Sequence, residues 1–515
     1  MVTTTIDRNS PDLWRHVVST TNQTHAPISP FPHETIPAFP LSSVADVTTA
    51  VQRAREVQRI WALTALKDRQ TVMSRFHDIV LGHETEILDV IQRETGKARA
   101  HAMDEVLHVA MNAGYLARVG KKVLRTERRA GAFPILTQSK VHHIPNGVVG
   151  VISPWNYPFT LAISDALAAI MAGNAVVIKP DLQTVWSAIY AVELLEQAGA
   201  PQGLVQIVVG DGPTLGQELV AHVDYICFTG STRTGRLIAT QAAQRLIGAA
   251  LELGGKNPMI VCADADLDKF VDIAIHSCFT SAGQLCVSTE RIYVAQEIYE
   301  LAVSKLASRV TSLTIKAEMG WGYDIGSLTT SAQHERVVAA INNAVAQGAH
   351  VVVGGKSRPD IGPLVVEPTI LSHVSDQMDV ARQEVFGPCV FISPFETEEQ
   401  AIALANDSEY GLSGSVITRD VARGRAIATK LKCGSVNVNE GFAATFGSVS
   451  APMGGMGDSG LGRRHGPEGI RRFTQPQTIS VQRFMLISRA FGMTDRQWSR
   501  FLARSLKLMR ALRIR

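Results

Sequence analysis

One cysteine of the chain lies in a segment that suits a nucleophile. Cys286 follows residues 281–285, Ser-Ala-Gly-Gln-Leu, which are small or uncharged and come after a predicted helix. A thiol in such a loop lies next to free backbone N–H groups, which favour the thiolate and can stabilise an oxyanion. The other five cysteines fall in predicted strands or helices, or at their starts, where free cysteine is a small buried hydrophobe; they are Cys227, Cys262, Cys278, Cys389 and Cys433.

Glu252 is a carboxylate that could serve this thiol. Gly254 and Gly255 follow it closely, so open backbone surrounds the acid rather than the charged face of a helix. A glutamate in such a place can accept a proton from a thiol or from water. The Glu-Leu-Gly-Gly run is by itself an ordinary turn, and only its partners give it a catalytic meaning.

Two glycine-rich segments could receive a phosphate. Residues 210–216 form Gly-x-Gly-x-x-x-Gly, one residue longer than the dinucleotide fingerprint and interrupted by Pro213, which indicates a turn. Residues 228–235 close a predicted strand and open a helix, so Gly230 and Ser231 could bring a helix N-terminus to an anion. Taken alone, this second segment is more often a plain capped turn.

The elements that must position these residues alternate between strands and helices. Apolar runs typical of buried parallel strands cover residues 148–153, 175–180, 205–210, 224–230 and 259–264. Helical patterns separate them, and a second alternating set continues to about residue 440. A helical region that opens with a capping box of Ser43 and Asp46 precedes both sets. The pattern predicts an α/β protein with two doubly wound domains.

Composition narrows the class of protein. The 515 residues are 45% hydrophobic and 19% charged, which excludes a disordered chain, a collagen or a small disulfide scaffold. No Cys-x-x-Cys pair or other metal-ligand spacing occurs, so we predict no metal site. There is neither a signal-peptide pattern nor an 18-residue apolar run, so we expect a cytoplasmic protein.

The net charge of +3 is unevenly distributed. Residues 494–515 contain seven Lys or Arg and one acid, Asp495, so this tail carries +6 and the other 493 residues carry −3. That balance gives no support to nucleic-acid binding by the body of the protein. Thr494 and Gln497 begin a capping box, and apolar and basic residues then separate onto two helix faces. The tail is predicted to be a basic amphipathic helix that docks on protein or lies peripherally on the inner face of a membrane.

Taken in order, six segments resemble the aldehyde dehydrogenase superfamily. They are Pro154-Trp-Asn-Tyr-Pro, Lys179-Pro180, Phe228-Thr-Gly-Ser, Glu252-Leu-Gly-Gly-Lys-Asn-Pro, Gly283-Gln-Leu-Cys286 and Glu384-Val-Phe-Gly-Pro. The ending at residues 452–466 also looks like that superfamily, so the resemblance covers about residues 35–485. Within the superfamily, the pattern is most similar to actinobacterial sequences assigned as NADP-type succinate-semialdehyde dehydrogenases.

The resemblance implies a covalent route from an aldehyde to a carboxylic acid. Cys286 would attack the carbonyl to form a thiohemiacetal, whose oxyanion the Asn156 amide and the Cys286 N–H would hold. Loss of hydride to the cofactor would give a thioester, and Glu252 would activate the water that hydrolyses it.

The resemblance also implies a nicotinamide cofactor. The residues expected to bind it are Trp155, Asn156, Lys179, Pro180, Asp181, Leu182, Gly230, Ser231, Gly235, Leu253, Glu384 and Phe386. Many NAD-preferring members carry Glu at the position of Leu182, and its absence removes repulsion against a 2′-phosphate. We therefore expect NADP or NAD, with NADP favoured, although the carboxylate of Asp181 opposes that preference.

The same resemblance implies a domain plan. Residues 1–126 and 147–252 would form a Rossmann-like cofactor domain, and residues 253–450 the catalytic domain. Residues 127–146 and 466–485 would form a β oligomerisation arm, giving a homodimer or homotetramer. The tail at residues 494–515 lies outside this plan.

The substrate is expected to be a small aldehyde. Succinate semialdehyde fits the most similar sequences, but Thr280 stands where some succinate-semialdehyde enzymes carry an arginine for the carboxylate. An apolar or aromatic aldehyde therefore stays open. An enzyme that transfers the acyl group to coenzyme A, and a non-catalytic membrane-associated protein of the same fold, are further alternatives; an intact Glu252 and Cys286 disfavour both.

Overall fold

A computed structural model describes residues 11–132, 137–483 and 491–513, with the side chains of residues 11–13 excepted. Residues 1–10 of the predicted irregular arm lie outside the described residues. The amino-terminal part contains a 3-10 turn Pro11–His16, strands β1 Thr24–His25 and β2 Phe39–Pro40, and helices α1 Val44–Trp61, α2 Leu66–Gly82, α3 Glu84–Thr95 and α4 Arg99–Leu124. The predicted capping box is present, because Ser43 and Asp46 exchange side-chain and backbone hydrogen bonds at the start of α1.

The first large sheet follows two arm strands, β3 Glu127–Ala130 and β4 Thr137–Pro145. Its elements are β5 Val148–Ile152, α5 Pro158–Ala172, β6 Ala175–Lys179, α6 Val185–Gln197, β7 Val205–Ile207, α7 Gly212–His222, β8 Tyr225–Thr229, α8 Thr232–Gln244 and β9 Gly248–Glu252. The strands are parallel in the order β9-β8-β5-β6-β7. The sequence pattern missed β9, because Gly and Ala residues have a low strand propensity.

The second large sheet uses the next part of the chain. Its elements are β10 Asn257–Val261, α9 Leu267–Phe279, β11 Thr289–Ala295, α10 Tyr299–Thr311, α11 Ser331–Ala346, β12 His350–Val353, β13 Thr369–Ser372, α12 Asp379–Arg382, β14 Cys389–Phe395, α13 Glu398–Asn406, β15 Tyr410–Gly411, β16 Ser413–Ile417, α14 Val421–Ala428 and β17 Ser435–Val438. The seven strands run in the order β12-β13-β14-β11-β10-β16-β17, and only β12 is antiparallel to its neighbour. The two sheets, each built from buried parallel strands that alternate with helices, agree with the predicted α/β fold class.

After β17, the chain returns to the first sheet and then to the arm. The last elements are α15 Ala443–Phe446, β18 Met456–Gly457, β19 Gly460–Leu461, α16 Gly466–Arg471, β20 Thr474–Gln482 and α17 Asp495–Ala511. Strand β19 pairs antiparallel with β9, so the end of the chain packs against the strand that carries Glu252. The apolar core of the first sheet consists of buried residues between 17 and 253 together with Val449, Ile470 and Phe473, and that of the second of buried residues between 259 and 431. The domain limits stay a prediction.

The arm is a small sheet in the order β20-β4-β3. Strand β20 pairs with β4 from Thr474 opposite Pro145 to Gln482 opposite Thr137, and no strand of the described residues pairs with its other edge. Beyond the arm, α17 forms with the capping box of Thr494 and Gln497, which confirms the predicted helix. Among the described residues, none of the helices has the length and apolar character needed to cross a membrane.

Candidate active site

The carboxyl edge of the first sheet gathers most of the predicted residues. Because β9, β8, β5 and β6 are parallel neighbours, their ends lie side by side. Glu252 ends β9, Thr229 ends β8 before Gly230, and Lys179 ends β6. Asn156 lies just beyond β5, in the loop before α5. The chain leaves β5 toward β6 on one side and reaches β8 on the other, so this edge is a topological switch point, where ligands of α/β sheets bind.

The loop that carries Cys286 is held in an unusual conformation. After α9, a 3-10 turn Thr280–Gly283 places Ser281, Ala282 and Gly283 at φ values of +52°, +53° and +71°. Left-handed backbone at two residues other than glycine is costly and persists only where the surroundings enforce it. Here the Ser281 N–H donates to Nδ1 of His101 at 3.0 Å, and its hydroxyl donates to the Tyr157 hydroxyl at 3.0 Å.

Asn257 fixes the loop on the other side of the cysteine. Its side-chain amide donates to the carbonyl of Cys286 at 2.8 Å and to that of Ser288 at 2.7 Å. The Asn257 amide oxygen accepts from the Ser413 N–H at 3.0 Å, so the side chain is fully oriented. Asn257 belongs to the Glu252-Leu-Gly-Gly-Lys-Asn-Pro segment, but the sequence did not predict a role for it. The only feature of the sequence that points to Asn257 is its position five residues after Glu252.

The surroundings of Cys286 do not favour the thiolate, contrary to the expectation from its small neighbours. The thiol is half-buried in apolar surroundings, and burial raises the pKa of Cys286 to about 12. The negative charges of Glu384 and Glu252 push the pKa further up, whereas the guanidinium of Arg464 and the backbone N–H of Cys286 oppose the rise. The thiol is therefore protonated at neutral pH, and attack on a carbonyl requires a base.

Glu252 has the properties of that base. It is 6% exposed, and its Oε1 atom has no hydrogen-bond partner among the described residues. Burial raises the pKa of Glu252 to about 7, and the nearby guanidinium groups of Arg464 and Arg472 only partly offset this. A base with a pKa near the working pH transfers protons most effectively. An unpartnered buried carboxylate oxygen is also what a bound water would need.

Hydrogen bonds fix both the side-chain amide and the backbone carbonyl of Asn156. Its side-chain N–H donates to the carbonyl of Gln284 at 2.9 Å, which leaves the second N–H of the amide for an oxyanion. Its own backbone carbonyl accepts from the ammonium group of Lys97 at 2.6 Å. Lys97 is fully buried, pairs with Glu105 at 2.7 Å and lies 3.8 Å from the centre of the Tyr157 ring. Sequence reasoning missed Lys97 and Glu105.

The end of β6 presents a buried cation. The Lys179 ammonium donates to the Pro180 carbonyl at 3.2 Å, and burial lowers the pKa of this lysine. Asp181 turns one carboxylate oxygen toward the Gln183 N–H at 2.9 Å, and Leu182 packs against the core of the first sheet. A buried ammonium suits the sugar and phosphate end of a dinucleotide, and the carboxylates of Asp181 and Asp211 also act on it.

The turn after β8 offers a helix N-terminus. Ser231 caps α8 by accepting from the Thr234 N–H, and the Gly230 N–H donates to the Glu252 carbonyl at 3.1 Å. Gly235 has no room for a side chain, because a Cβ atom there would lie 2.5 Å from Leu253. The aligned N–H groups at the start of α8 fit an anionic pyrophosphate.

A carboxylate from the loop between α12 and β14 faces the same cleft. Glu384 accepts from the Gly255 N–H at 2.9 Å, and burial raises its pKa to about 8. Gly254 approaches so closely that a Cβ atom there would lie 2.3 Å from the Glu384 carboxylate. Phe386, at φ +55°, meets the Trp155 ring edge-on at 5.7 Å. These residues fit a nicotinamide ribose, since a carboxylate binds vicinal hydroxyls and the rings bound the site.

A buried ion pair supports that segment. Lys256 pairs with Glu290 at 2.5 Å, and the Glu290 carboxylate accepts from the N–H groups of Val385 and Phe386. The position of Phe386 is therefore set by a residue that follows Cys286 by four positions. This connection was not predicted.

An apolar cluster packs against one side of the nucleophile. Its buried members are Tyr157, Leu161, Leu285, Val287, Leu412, Phe442 and Met453, with Cys286, Ala443 and Phe446 partly buried at its edge. Two histidine rings line the same aromatics, since His276 stacks on Phe442 at 5.0 Å and His108 lies 4.3 Å from Phe446. Burial lowers the pKa of both histidines, so they are neutral at physiological pH. None of the cluster's residues carries a charge.

Comparison with known proteins identifies the family. Residues 16–479 match the sequence profile of the aldehyde dehydrogenase family. The chain is 44% identical over 474 residues to a protein of Mycolicibacterium smegmatis named "Putative succinate-semialdehyde dehydrogenase (NADP(+))", with 92% of each chain covered. It is 35% identical to "4,4'-diapolycopene aldehyde oxidase" of a Methylomonas species, with 88% of this chain and 85% of that protein covered.

A solved structure gives the same result. The crystal structure of betaine aldehyde dehydrogenase from Staphylococcus aureus in complex with NAD+ superposes with a TM-score of 0.86 at 32% identity, covering 93% of this chain and 95% of that one. The chain belongs to the aldehyde dehydrogenase family. The predicted family, fold class and enzyme class, an oxidoreductase acting on aldehydes, are thereby confirmed.

Proposed function

We propose that this enzyme oxidises an apolar aldehyde to the carboxylic acid, with Cys286 as nucleophile and NADP or NAD as hydride acceptor. One aldehyde, one water and one oxidised cofactor give one carboxylic acid, one reduced cofactor and one proton. The observation that carries the proposal is the half-buried Cys286 thiol at the edge of an uncharged cluster, with the carboxylate of Glu252 near enough to raise the pKa of that thiol.

Glu252 and Asn156 divide the work around the carbonyl. Glu252 takes the thiol proton as the sulfur of Cys286 bonds to the carbonyl carbon, because the thiol is protonated at neutral pH. The second amide N–H of Asn156 and the backbone N–H of Cys286 stabilise the resulting oxyanion, each by a few kcal/mol. After hydride loss, Glu252 releases the first proton to solvent, takes a proton from the water that cleaves the thioester and passes it to the departing sulfur of Cys286.

A bound nicotinamide cofactor would supply the hydride acceptor, and the chain would supply its position. Lys179 and the start of α8 would hold the adenosine and pyrophosphate end, whereas Glu384 and Phe386 would hold the nicotinamide end. With Leu182 beside Lys179, no carboxylate at that position repels a 2′-phosphate. We propose that NADP is preferred, consistent with the NADP(+) in the name of the 44% identical relative.

The cluster around Cys286 supports an apolar substrate. The ammonium of Lys97 borders the cluster at Tyr157 but is already paired with Glu105, so a carboxylate buried against Phe442, Phe446 and Leu161 would lose its hydration uncompensated. Thr280 is buried and its hydroxyl donates to the His276 carbonyl at 2.6 Å, so it is occupied within the loop. Succinate semialdehyde is the second candidate, because the 44% identical relatives carry that name.

An aldehyde series separates the two candidates. Formation of reduced cofactor would be followed with succinate semialdehyde, butanal, octanal and benzaldehyde, for wild type and Cys286→Ala, with and without coenzyme A. We expect kcat/KM to rise about fourfold for each added methylene until the cluster is filled. Preference for succinate semialdehyde over butanal would overturn the apolar proposal, and activity in Cys286→Ala would overturn the mechanism. A requirement for coenzyme A would indicate acyl transfer.

A truncation in the cluster sharpens the test. Phe442→Ala removes a ring that is 3% exposed, whereas Phe491→Ala removes one that is 77% exposed. We expect the first variant to lower kcat/KM for octanal far more than for acetaldehyde, and the second to change neither. Equal loss for both substrates would indicate general damage to the site.

The arm supports a homodimer or homotetramer. The open edge of β20 exposes Ile479 and Val481 at 47% and 48%, and an unpaired strand edge invites pairing with another subunit. Light scattering of wild type and Ile479→Lys would test this, with Leu63→Lys, which alters an exposed apolar residue outside the arm, as the control. A wild-type monomer would refute the proposal.

A further inference from the structure

The side chains of α17 separate onto two opposite faces. At 100° per residue, one arc is apolar and the arc opposite to it is basic. The apolar arc, continued by the capping residue that follows the helix, contains Trp498, Phe501, Leu502, Leu506, Leu508, Met509 and Leu512. The basic arc contains Arg496, Arg500, Arg504, Lys507 and Arg510, all exposed.

The basic arc has no acidic partner within the described part of the chain. None of its five side chains takes part in an ion pair or a side-chain hydrogen bond there. The side-chain bonds near it are those of the capping box between Thr494 and Gln497. The charge of this face is therefore available to an external anionic surface.

The apolar arc is only partly covered. Trp498 is buried and stacks on Phe501 at 5.5 Å. The side chains at the margins of the arc stay open, with Leu506, Leu508 and Leu512 exposed by 51% to 61%. Because exposed leucines lie at both margins of the apolar arc, only an apolar surface wider than the helix can cover all of them.

We propose that α17 lies on the surface of an anionic lipid bilayer and anchors the enzyme there. The leucines of its apolar arc enter the boundary between headgroups and acyl chains. The long side chains of its basic arc reach the lipid phosphates. A nucleic acid would satisfy the charges but not the leucines. The charged face excludes a spanning orientation.

The charge distribution supports a local anchor. The 493 residues before Thr494 sum to −3, so the body of the enzyme is not drawn to an anionic surface, whereas the tail carries +6. The helix also lies beyond residue 479, where the family match ends, so it is an addition to the catalytic fold. This placement does not depend on the substrate proposed for Cys286.

Vesicle sedimentation of the full-length enzyme tests the anchor. Vesicles of phosphatidylcholine with phosphatidylglycerol would be compared with vesicles of phosphatidylcholine alone. We expect binding to the first, weakened by salt, and about hundredfold weaker binding for Arg500→Gln/Arg504→Gln/Lys507→Gln. The control Arg53→Gln/Arg59→Gln/Lys67→Gln removes the same charge from exposed positions of α1 and α2 and should bind within twofold of wild type.

Two further variants complete the design. Leu508→Ser/Leu512→Ser should lose binding although the charge is unchanged, and a chain ending at residue 493 should not bind at all. All variants should keep wild-type activity on a water-soluble aldehyde, which separates this result from failure of the proposed reaction. Equal partition of wild type and truncated enzyme would overturn the proposal. So would a tail that changes only the oligomeric state, because the helix would then dock on a second copy of the chain.

Discussion

The ammonium group of Lys97 donates to the backbone carbonyl of Asn156 at 2.6 Å, although 59 positions separate the two residues. Glu105 neutralises this buried cation and also accepts from the Thr160 N–H at 3.0 Å, at the start of α5. One ion pair thus ties α4 to the loop that presents the Asn156 amide. Lys97 is a positioning residue for the oxyanion site.

Removing Lys97 should lower kcat more than it changes KM. In Lys97→Met, the carbonyl of Asn156 loses its donor and the amide shifts, and a misplacement of about 1 Å costs about 10²-fold in rate. The variant also leaves Glu105 buried without its partner, which costs about 3–5 kcal/mol. Steady-state kinetics and urea unfolding measure the two effects separately.

The double variant Lys97→Met/Glu105→Leu distinguishes positioning from stability. With both charges gone, we expect the free energy of unfolding to recover while kcat stays low. Lys122→Met, on the exposed face of α4, is the matched control and should change neither. Recovery of kcat together with stability would contradict the positioning role.

Glu252→Gln should slow both the attack of Cys286 and the hydrolysis of the thioester. An amide can take neither the proton of the thiol nor that of the attacking water, so reduced cofactor should form without a burst and turnover should nearly cease. In wild type, kcat should fall as pH drops below about 7, the pKa of Glu252. Rapid mixing and a pH–rate profile check both, and a profile flat from pH 6 to about 8 would speak against Glu252 as the base.

The same carboxyl links stability to pH. Its pKa is about 7 in the fold against an ordinary 4.5, so the fold favours the protonated form. Its contribution to stability is complete below pH 4.5 and is lost as pH rises through 7. At alkaline pH, the free energy of unfolding of Glu252→Gln should therefore exceed that of wild type by roughly 1–3 kcal/mol. At acid pH, the two values should be equal. A difference of the same size at acid pH would contradict this assignment.

The parts of the fold that could be predicted are those with a local signal. Continuous apolar runs predicted β5, β6 and β8 because both faces of a parallel sheet are buried. Strand β9 has no such run, although it carries Glu252, and its place comes from pairing with β8 along its whole length. Short Ala- and Gly-rich strands are stabilised by their neighbours rather than by their own residues.

The site shows the same division. Local composition and family resemblance predicted Cys286, Glu252 and Asn156, whose roles stay proposals. The contacts of Lys97 and Asn257 join residues 59 and 29 positions apart, and no periodicity records such pairs. The raised pKa of Cys286 could not be predicted from the sequence either, because desolvation depends on side chains that only the fold brings together.

Leu182→Glu should turn the cofactor preference toward NAD. A carboxylate next to Lys179 would repel a 2′-phosphate and accept from ribose hydroxyls, so KM for NADP should rise at least about tenfold while KM for NAD falls. Leu182→Gln controls for the lost packing, since Leu182 contacts the core of the first sheet. Cofactor titrations decide the matter, and an equal rise of both KM values would show that only packing was lost.

Gly283→Ala should disable the enzyme from a position that carries no functional group. Gly283 has φ +71°, and a Cβ atom there would lie 2.1 Å from the Gly387 carbonyl oxygen. Relief of that clash must move the loop of Cys286 or the segment of Glu384, so we expect kcat to fall about 10²-fold.

Gly82→Ala is the contrasting substitution. Gly82 ends α2, and a Cβ atom there would meet nothing within 4 Å. That variant should keep wild-type kcat and gain about 0.5–1 kcal/mol in unfolding free energy, because alanine loses less chain entropy than glycine on folding. If Gly283→Ala matched it in both measurements, the contact between the two loops would not position the nucleophile, and the left-handed turn at Ser281 and Ala282 would have to do so alone.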